Sequence, residues 1–92
     1  MQVPVKYSLS QNYPNPFNPI SKIRFSIPVY SHVLIKVYDV LGSEVSTIVN
    51  EERPPGIYEA DFSATRLASG IYYYKITTSG GYSETKKMVL LN

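Results

Sequence analysis

The chain has 92 residues, 43% of them hydrophobic, which fits one small domain with a shallow core rather than two domains. Nine Lys or Arg against seven Asp or Glu leave a net charge of +2, and only Lys86-Lys87 are adjacent, so no basic face for nucleic acid is expected. Cysteine is absent, which excludes disulfides, thiol chemistry and thiolate metal sites, and no apolar run approaches the ~20 residues of a membrane helix.

Met1-Gln2-Val3-Pro4 has neither the basic nor the apolar part of a signal peptide. Residues 1–6 read as a linker remnant and the start of a first strand, and residues 7–92 as a single β-sandwich. That first strand is expected around residues 6–10. Next comes Gln11-Asn12-Tyr13-Pro14-Asn15-Pro16-Phe17-Asn18-Pro19, too rich in proline to join a regular sheet or helix. Each proline pushes its predecessor out of the α region, so Tyr13, Asn15 and Asn18 are expected to be extended or polyproline-like. With a period of three, Asn12, Asn15 and Asn18 share one edge, and Pro14, Phe17 and Ile20 the other. Tyr13, Pro14, Asn15, Pro16, Phe17, Asn18 and Pro19 are therefore predicted to form a rigid structural cap. The plainer alternative is a prolyl loop closing one end of a sandwich, with Tyr13 and Phe17 plugging the core.

Alternation of period two sets in after the prolines and returns about every ten residues, the pattern of antiparallel strands. Residues 21–27 place Ile23, Phe25 and Ile27 inward and Lys22, Arg24 and Ser26 outward, and Pro28 ends the strand. Residues 32–39 point Val33, Ile35 and Val37 one way and Lys36 the other. Val40-Leu41-Gly42-Ser43 then turns the chain into a strand over 44–50, Gly42 supplying a positive φ.

Pro54-Pro55-Gly56 is a turn signal, and residues 57–62 follow with Tyr58, Ala60 and Phe62 on one face. The loop over 63–69 contains one large apolar residue, Leu67, which is expected to dip into the core. Residues 70–78 present Tyr72, Tyr74 and Ile76 on one face and Ile71, Tyr73 and Lys75 on the other. Leu67, Gly70 and Tyr72 suggest a tyrosine corner, in which the hydroxyl bonds upstream backbone. Gly80-Gly81 fits a two-residue hairpin turn into a last strand over 82–91. The pattern predicts an all-β, immunoglobulin-like antiparallel sandwich of about seven strands with Greek-key topology.

No catalytic, cofactor-binding or metal-ligating set emerges. The single histidine, His32, opens a strand with no partner nearby in sequence and reads as an exposed or edge residue. Asp39, Glu44, Glu51, Glu52, Glu59, Asp61 and Glu84 fit solvated positions and turn caps, Asp39 bonding the local backbone. Phosphate-cradling, calcium-loop and zinc-type spacings are missing. Nine tyrosines allow an aromatic platform of the carbohydrate-binding kind, but alternation turns only Tyr73 of Tyr72-Tyr73-Tyr74 outward. The final strand, with its lysine pair and apolar end, is either an edge guarded against sheet-to-sheet aggregation or a tag read by a receptor.

Four motifs occur in order: Leu9-Ser10-Gln11-Asn12-Tyr13-Pro14-Asn15-Pro16-Phe17-Asn18-Pro19, Val37-Tyr38-Asp39-Val40-Leu41-Gly42-Ser43-Glu44-Val45, Leu67-Ala68-Ser69-Gly70-Ile71-Tyr72-Tyr73-Tyr74 and Thr85-Lys86-Lys87-Met88-Val89-Leu90-Leu91. Together they resemble a type A C-terminal sorting domain of the type IX (Por) secretion system. The middle motif is also similar to the immunoglobulin-like domain of flagellar hook-capping proteins.

The resemblance implies an address rather than an activity. It implies a passenger N-terminal to this segment, transit through the periplasm, and arrival at the cell surface or in the medium. It implies recognition by the outer-membrane translocon and its shuttle proteins and, in many members, removal by a sortase-like cysteine protease. Neither a cofactor nor membrane insertion is implied. The positions it marks for recognition are Gly70, Tyr72, Lys86, Lys87, Met88, Val89 and Leu90, with the lysines supplying charge and the last strand supplying register. Residues 3–6 are a reasonable place for a linker and a cut. Asn92 stands where many members end in Lys or Arg. A carbohydrate-binding accessory module and a structural module of an adhesin or flagellar cap are the rival readings.

Overall fold

In the computed structural model, which describes residues 4–91, the alternating segments form seven strands: β1 (Ser8–Leu9), β2 (Ile20–Ile27), β3 (Ser31–Tyr38), β4 (Glu44–Arg53), β5 (Gly56–Ser63), β6 (Gly70–Thr78) and β7 (Ser83–Leu90). No helix occurs among the described residues. The strands make two antiparallel sheets, of order β1-β2-β5 and β4-β3-β6-β7. The chain passes between sheets after β2, β4 and β5, so that β2 pairs with β5 and β3 with β6. These non-sequential pairings are Greek-key connections, and the result is the antiparallel β-sandwich that the alternation predicts.

One hydrophobic layer lies between the sheets. Ile23, Phe25 and Ile27 face Val33, Ile35, Val37, Tyr74 and Ile76, with Met88 and Leu90 from the last strand, all buried. Each of these large side chains contributes about 1.5–3 kcal/mol on burial, which is how a chain this short sustains a core. Phe25 stacks on Tyr58 of the neighbouring strand, with ring centroids 5.4 Å apart. Leu67 dips against the core as expected, and Ala64 beside it is fully buried. The tyrosine corner is present: the Tyr72 hydroxyl donates to the Ala68 carbonyl at 2.7 Å. In the β3–β4 turn, the Asp39 carboxylate accepts from the Leu41 and Ser43 amides at 2.9 Å each, and Gly42 has φ +85°.

Five sequence expectations are corrected. The first strand shrinks from residues 6–10 to Ser8–Leu9, opposite Ser26 and Phe25; the Ser10 amide still donates to the Arg24 carbonyl at 2.8 Å, but the Arg24 amide donates to the Ser10 hydroxyl instead of a backbone carbonyl, which ends the ladder. Ser26 is buried rather than outward, its hydroxyl 2.6 Å from the Ser8 hydroxyl and donating to the Lys6 carbonyl at 3.1 Å. The fourth strand runs on to Arg53, and register shifts opposite Ile35/Lys36 and Val37/Tyr38 interrupt its alternation. The last hairpin has a three-residue loop, closed by the Thr78 amide donating to the Tyr82 carbonyl, with Gly81 at φ +94°. The fifth correction concerns the proline-rich cap. Parts of the linker and terminal readings, at Met1, Gln2, Val3 and Asn92, lie outside the described residues.

Candidate functional site

The asparagine-proline segment does not form a ribbon with an amide edge and an apolar edge. Asn12 is buried while Asn15 and Asn18 are exposed, and Phe17 is buried while Pro14 and Ile20 are exposed. Phe17 plugs the core against Phe62, at a ring separation of 6.1 Å, but Tyr13 is 80% exposed and plugs nothing. The peptide bonds before Pro14, Pro16 and Pro19 are cis. The side-chain amides of Gln11, Asn12 and Asn15 each bond a backbone group, which a simple three-residue period cannot anticipate.

Buried Asn12 is the organising residue at the start of the segment. Its amide nitrogen donates to the Pro14 carbonyl (3.1 Å) and to the Ser21 hydroxyl (2.9 Å), while its oxygen accepts from Gln11 Nε2 (2.7 Å). Ser21 in turn donates to the Pro14 carbonyl at 2.8 Å, so the proline turn is stitched to β2 from within. Tyr13 and Lys22 exchange both backbone bonds at 2.9 Å, which ties this end of the segment to the three-stranded sheet.

The other end crosses to the four-stranded sheet and lies along β7. Phe17 bridges Leu90 in parallel: its amide donates to the Val89 carbonyl and its carbonyl accepts from the Leu91 amide, both at 3.0 Å. Asn15 Oδ1 accepts from the Val89 amide at 2.9 Å, and Gln11 Nε2 donates to the Lys87 carbonyl at 2.6 Å. The segment is thus a clasp between the two sheets that pairs with the C-terminal half of the β7 edge. Proline cannot extend a ladder, and here side-chain amides take the places of missing backbone partners.

The residues marked for recognition divide by strand parity. Tyr72, Met88 and Leu90 are buried, and Gly70 (φ +153°) stands opposite Leu90 in the β6–β7 ladder. Lys86 and Lys87 point to opposite faces, since successive side chains alternate. Lys86 shares the face of Met88 and Leu90 and is paired with Glu84 at 3.2 Å. Lys87 is exposed on the outer face beside half-buried Val89. Across the strand pair, Lys87 adjoins Tyr73 and Val89 adjoins Ile71, which are 38% and 41% exposed.

The electrostatics follow the same division. On the inner side, the hydrogen bond from the Tyr82 hydroxyl, reinforced by Lys86, holds the Glu84 carboxyl below the ordinary glutamate value. Burial and that same bond push the Tyr82 phenol well above its ordinary value. Tyr82 also stacks on Tyr7 at 4.9 Å, so both rings serve the end of the sandwich rather than an aromatic platform. On the outer face, Lys36 pairs with Glu44 at 2.9 Å, and His32 meets Asn50 at 2.7 Å and Glu52 at 3.5 Å. Lys75 and Lys87, nearer β7, have no carboxylate partner among the described residues.

Sequence reasoning found the final strand and singled out the proline segment. It missed that Gln11 and Asn15 fasten the one to the other, for which the amide residues flanking the prolines were the available signal. The family model described as "Secretion system C-terminal sorting domain" matches residues 11–91, the clasp and all strands after it. No curated protein matches the chain.

Proposed function

The chain belongs to the secretion system C-terminal sorting domain family, and from that premise we propose that the outer face of β7 is the part of the domain read by the type IX machinery. The domain is a sorting signal, directing a passenger to the cell surface or the medium through type IX secretion. What supports the choice of face is that β7 does two jobs at once. Met88 and Leu90 complete the core, while Lys87 and Val89 stand on the outside with Tyr73 and Ile71 beside them. A strand built this way displays its outer residues in register only when the sandwich has closed.

In this reading Gly70 and Tyr72 shape the β6 end against which β7 lies, and Lys86 pairs with Glu84 along β7 itself. The cap from Tyr13 to Pro19 holds the strand end in place. The finer partners are the outer-membrane translocon and its shuttle proteins, met in the periplasm, and a sortase-like cysteine protease that cuts near the linker of residues 1–6. The passenger precedes that linker, and residues 7–92 act as one non-catalytic unit.

The test is a fluorescent passenger carrying a secretory signal in a type IX-competent bacterium, with and without residues 1–92 at its C-terminus. Passenger outside the cell only when the domain is attached supports the reading. Periplasmic retention in both cases sinks it.

A further inference from the structure

The β7 edge is only half closed, and what remains open has a defined chemistry. In the β6–β7 ladder, Thr78 and Tyr82 form a hydrogen-bonded pair, as the Thr78 amide donates to the Tyr82 carbonyl. Antiparallel pairing repeats every second residue, so Glu84, Lys86, Met88 and Leu90 turn their backbone groups toward β6. Ser83, Thr85, Lys87, Val89 and Leu91 turn theirs to the free edge. The clasp takes the Lys87 carbonyl, both Val89 groups and the Leu91 amide. The Ser83 and Thr85 amides and carbonyls and the Lys87 amide have no partner among the described residues.

We propose that an extended, acidic segment of a partner protein adds to this open stretch as a fifth strand of the sheet. The reading rests on the sorting function proposed above and names the chemistry of its partner. Strand addition is favoured because the open groups form a continuous ladder on exposed Ser83 and Thr85, with no proline or bulge to block it. The opposite edge, β4, is unsuited, since register shifts interrupt its first half and Glu51-Glu52 in its regularly paired half repel an acidic segment. Acidic character follows from charge: Lys87 borders the stretch, Lys75 stands opposite Thr85 in the ladder, and neither is neutralised within the described residues. The clasp then acts as a stop, because an incoming strand meets Gln11 at the Lys87 carbonyl, and this fixes its register.

The experiment uses the 92-residue chain, isotope-labelled, with a blocked Thr-Glu-Val-Glu-Val-Thr peptide as the probe and its lysine counterpart as the control. The expected result is slowed amide hydrogen exchange at Ser83, Thr85 and Lys87 by about tenfold or more with the acidic peptide and none with the basic one. Thr85→Pro removes an outward amide while leaving the β6 ladder intact, and abolishes the protection. Lys87→Glu, which leaves every backbone group in place, weakens peptide binding about tenfold or more. Far-ultraviolet dichroism and melting of both variants confirm that they are folded. Protection at other amides, equal binding of the basic peptide, or absence of binding at millimolar peptide overturns the proposal. So does protection that rises with protein concentration alone, which assigns the edge to a second copy. Export of the passenger by the unmodified domain without peptide binding rejects strand addition and leaves the sorting reading standing.

Discussion

Asn15 accepts the Val89 amide at 2.9 Å from a position 74 residues earlier in the chain. With Gln11 and Phe17 on either side, it makes the N-terminal clasp the partner of the C-terminal strand, so the terminal motif is held by a segment from the far end of the sequence. Asn15→Ala is predicted to cost about 1 kcal/mol, the net worth of one exposed hydrogen bond, and to speed exchange at the Val89 amide more than elsewhere. Urea denaturation combined with residue-resolved hydrogen exchange checks both parts; uniform acceleration at all amides contradicts the local role.

Asn12 carries more weight than Asn15 because it is buried and fully bonded. Its replacement by alanine strands the Pro14 carbonyl and the Ser21 hydroxyl in part and leaves Gln11 without its neighbour. The predicted loss is about 1–3 kcal/mol, read from the denaturation midpoint, and larger than that of Asn15→Ala.

Adjacent tyrosines on β6 are predicted to respond differently to loss of the hydroxyl. Tyr72→Phe breaks the bond to Ala68 and Tyr74→Phe the 2.6 Å bond to the Ser10 carbonyl, each costing about 1 kcal/mol. Tyr73→Phe changes stability by less than about 0.5 kcal/mol, since that hydroxyl is on the outer face. Thermal melts of the three variants decide the matter.

Stability is predicted to fall at both ends of the pH range. Burial pushes the Tyr74 phenol up to about 12 from its ordinary 10.0. The unfolded chain therefore ionises first, so the stabilisation is complete below pH 10.0 and is lost as the pH rises toward 12. Glu84 has the opposite sign. Its folded pKa lies below the ordinary 4.5, so its contribution is present above that value and is lost as the pH falls through the lower folded value. Denaturation across pH should show Tyr74→Phe flattening the alkaline limb and Glu84→Gln the acid limb.

Much of this fold was legible because strands buried on one face announce themselves by alternation. Residues 70–78 were read with the bounds the structure has, and Tyr72 fell into its corner as the spacing suggested. β4 was read short because its last three residues, Glu51, Glu52 and Arg53, are charged and show no apolar alternation, although they pair regularly with Val33, His32 and Ser31. The proline segment misled for a different reason. A local preference for extended backbone says nothing about which amide will meet Val89 or Lys87, and those contacts depend on the distant strand being in place. The residues proposed for recognition likewise stand in the sequence as a run of letters, whereas the sheet sorts them into buried Met88 and Leu90, inward Lys86 and outward Lys87.

That sorting determines the decisive measurement. Deleting the last strand removes Met88 and Leu90 from the core, a loss of about 2–5 kcal/mol for each large side chain, and so tests folding as much as recognition. The better probe is Lys87→Glu together with Val89→Thr, in the domain attached to a fluorescent passenger, with melting measured on the same purified variant and passenger location measured in a type IX-competent bacterium. The account predicts a domain that is still folded and a passenger retained in the periplasm. Undiminished export of the passenger by that folded variant would contradict it.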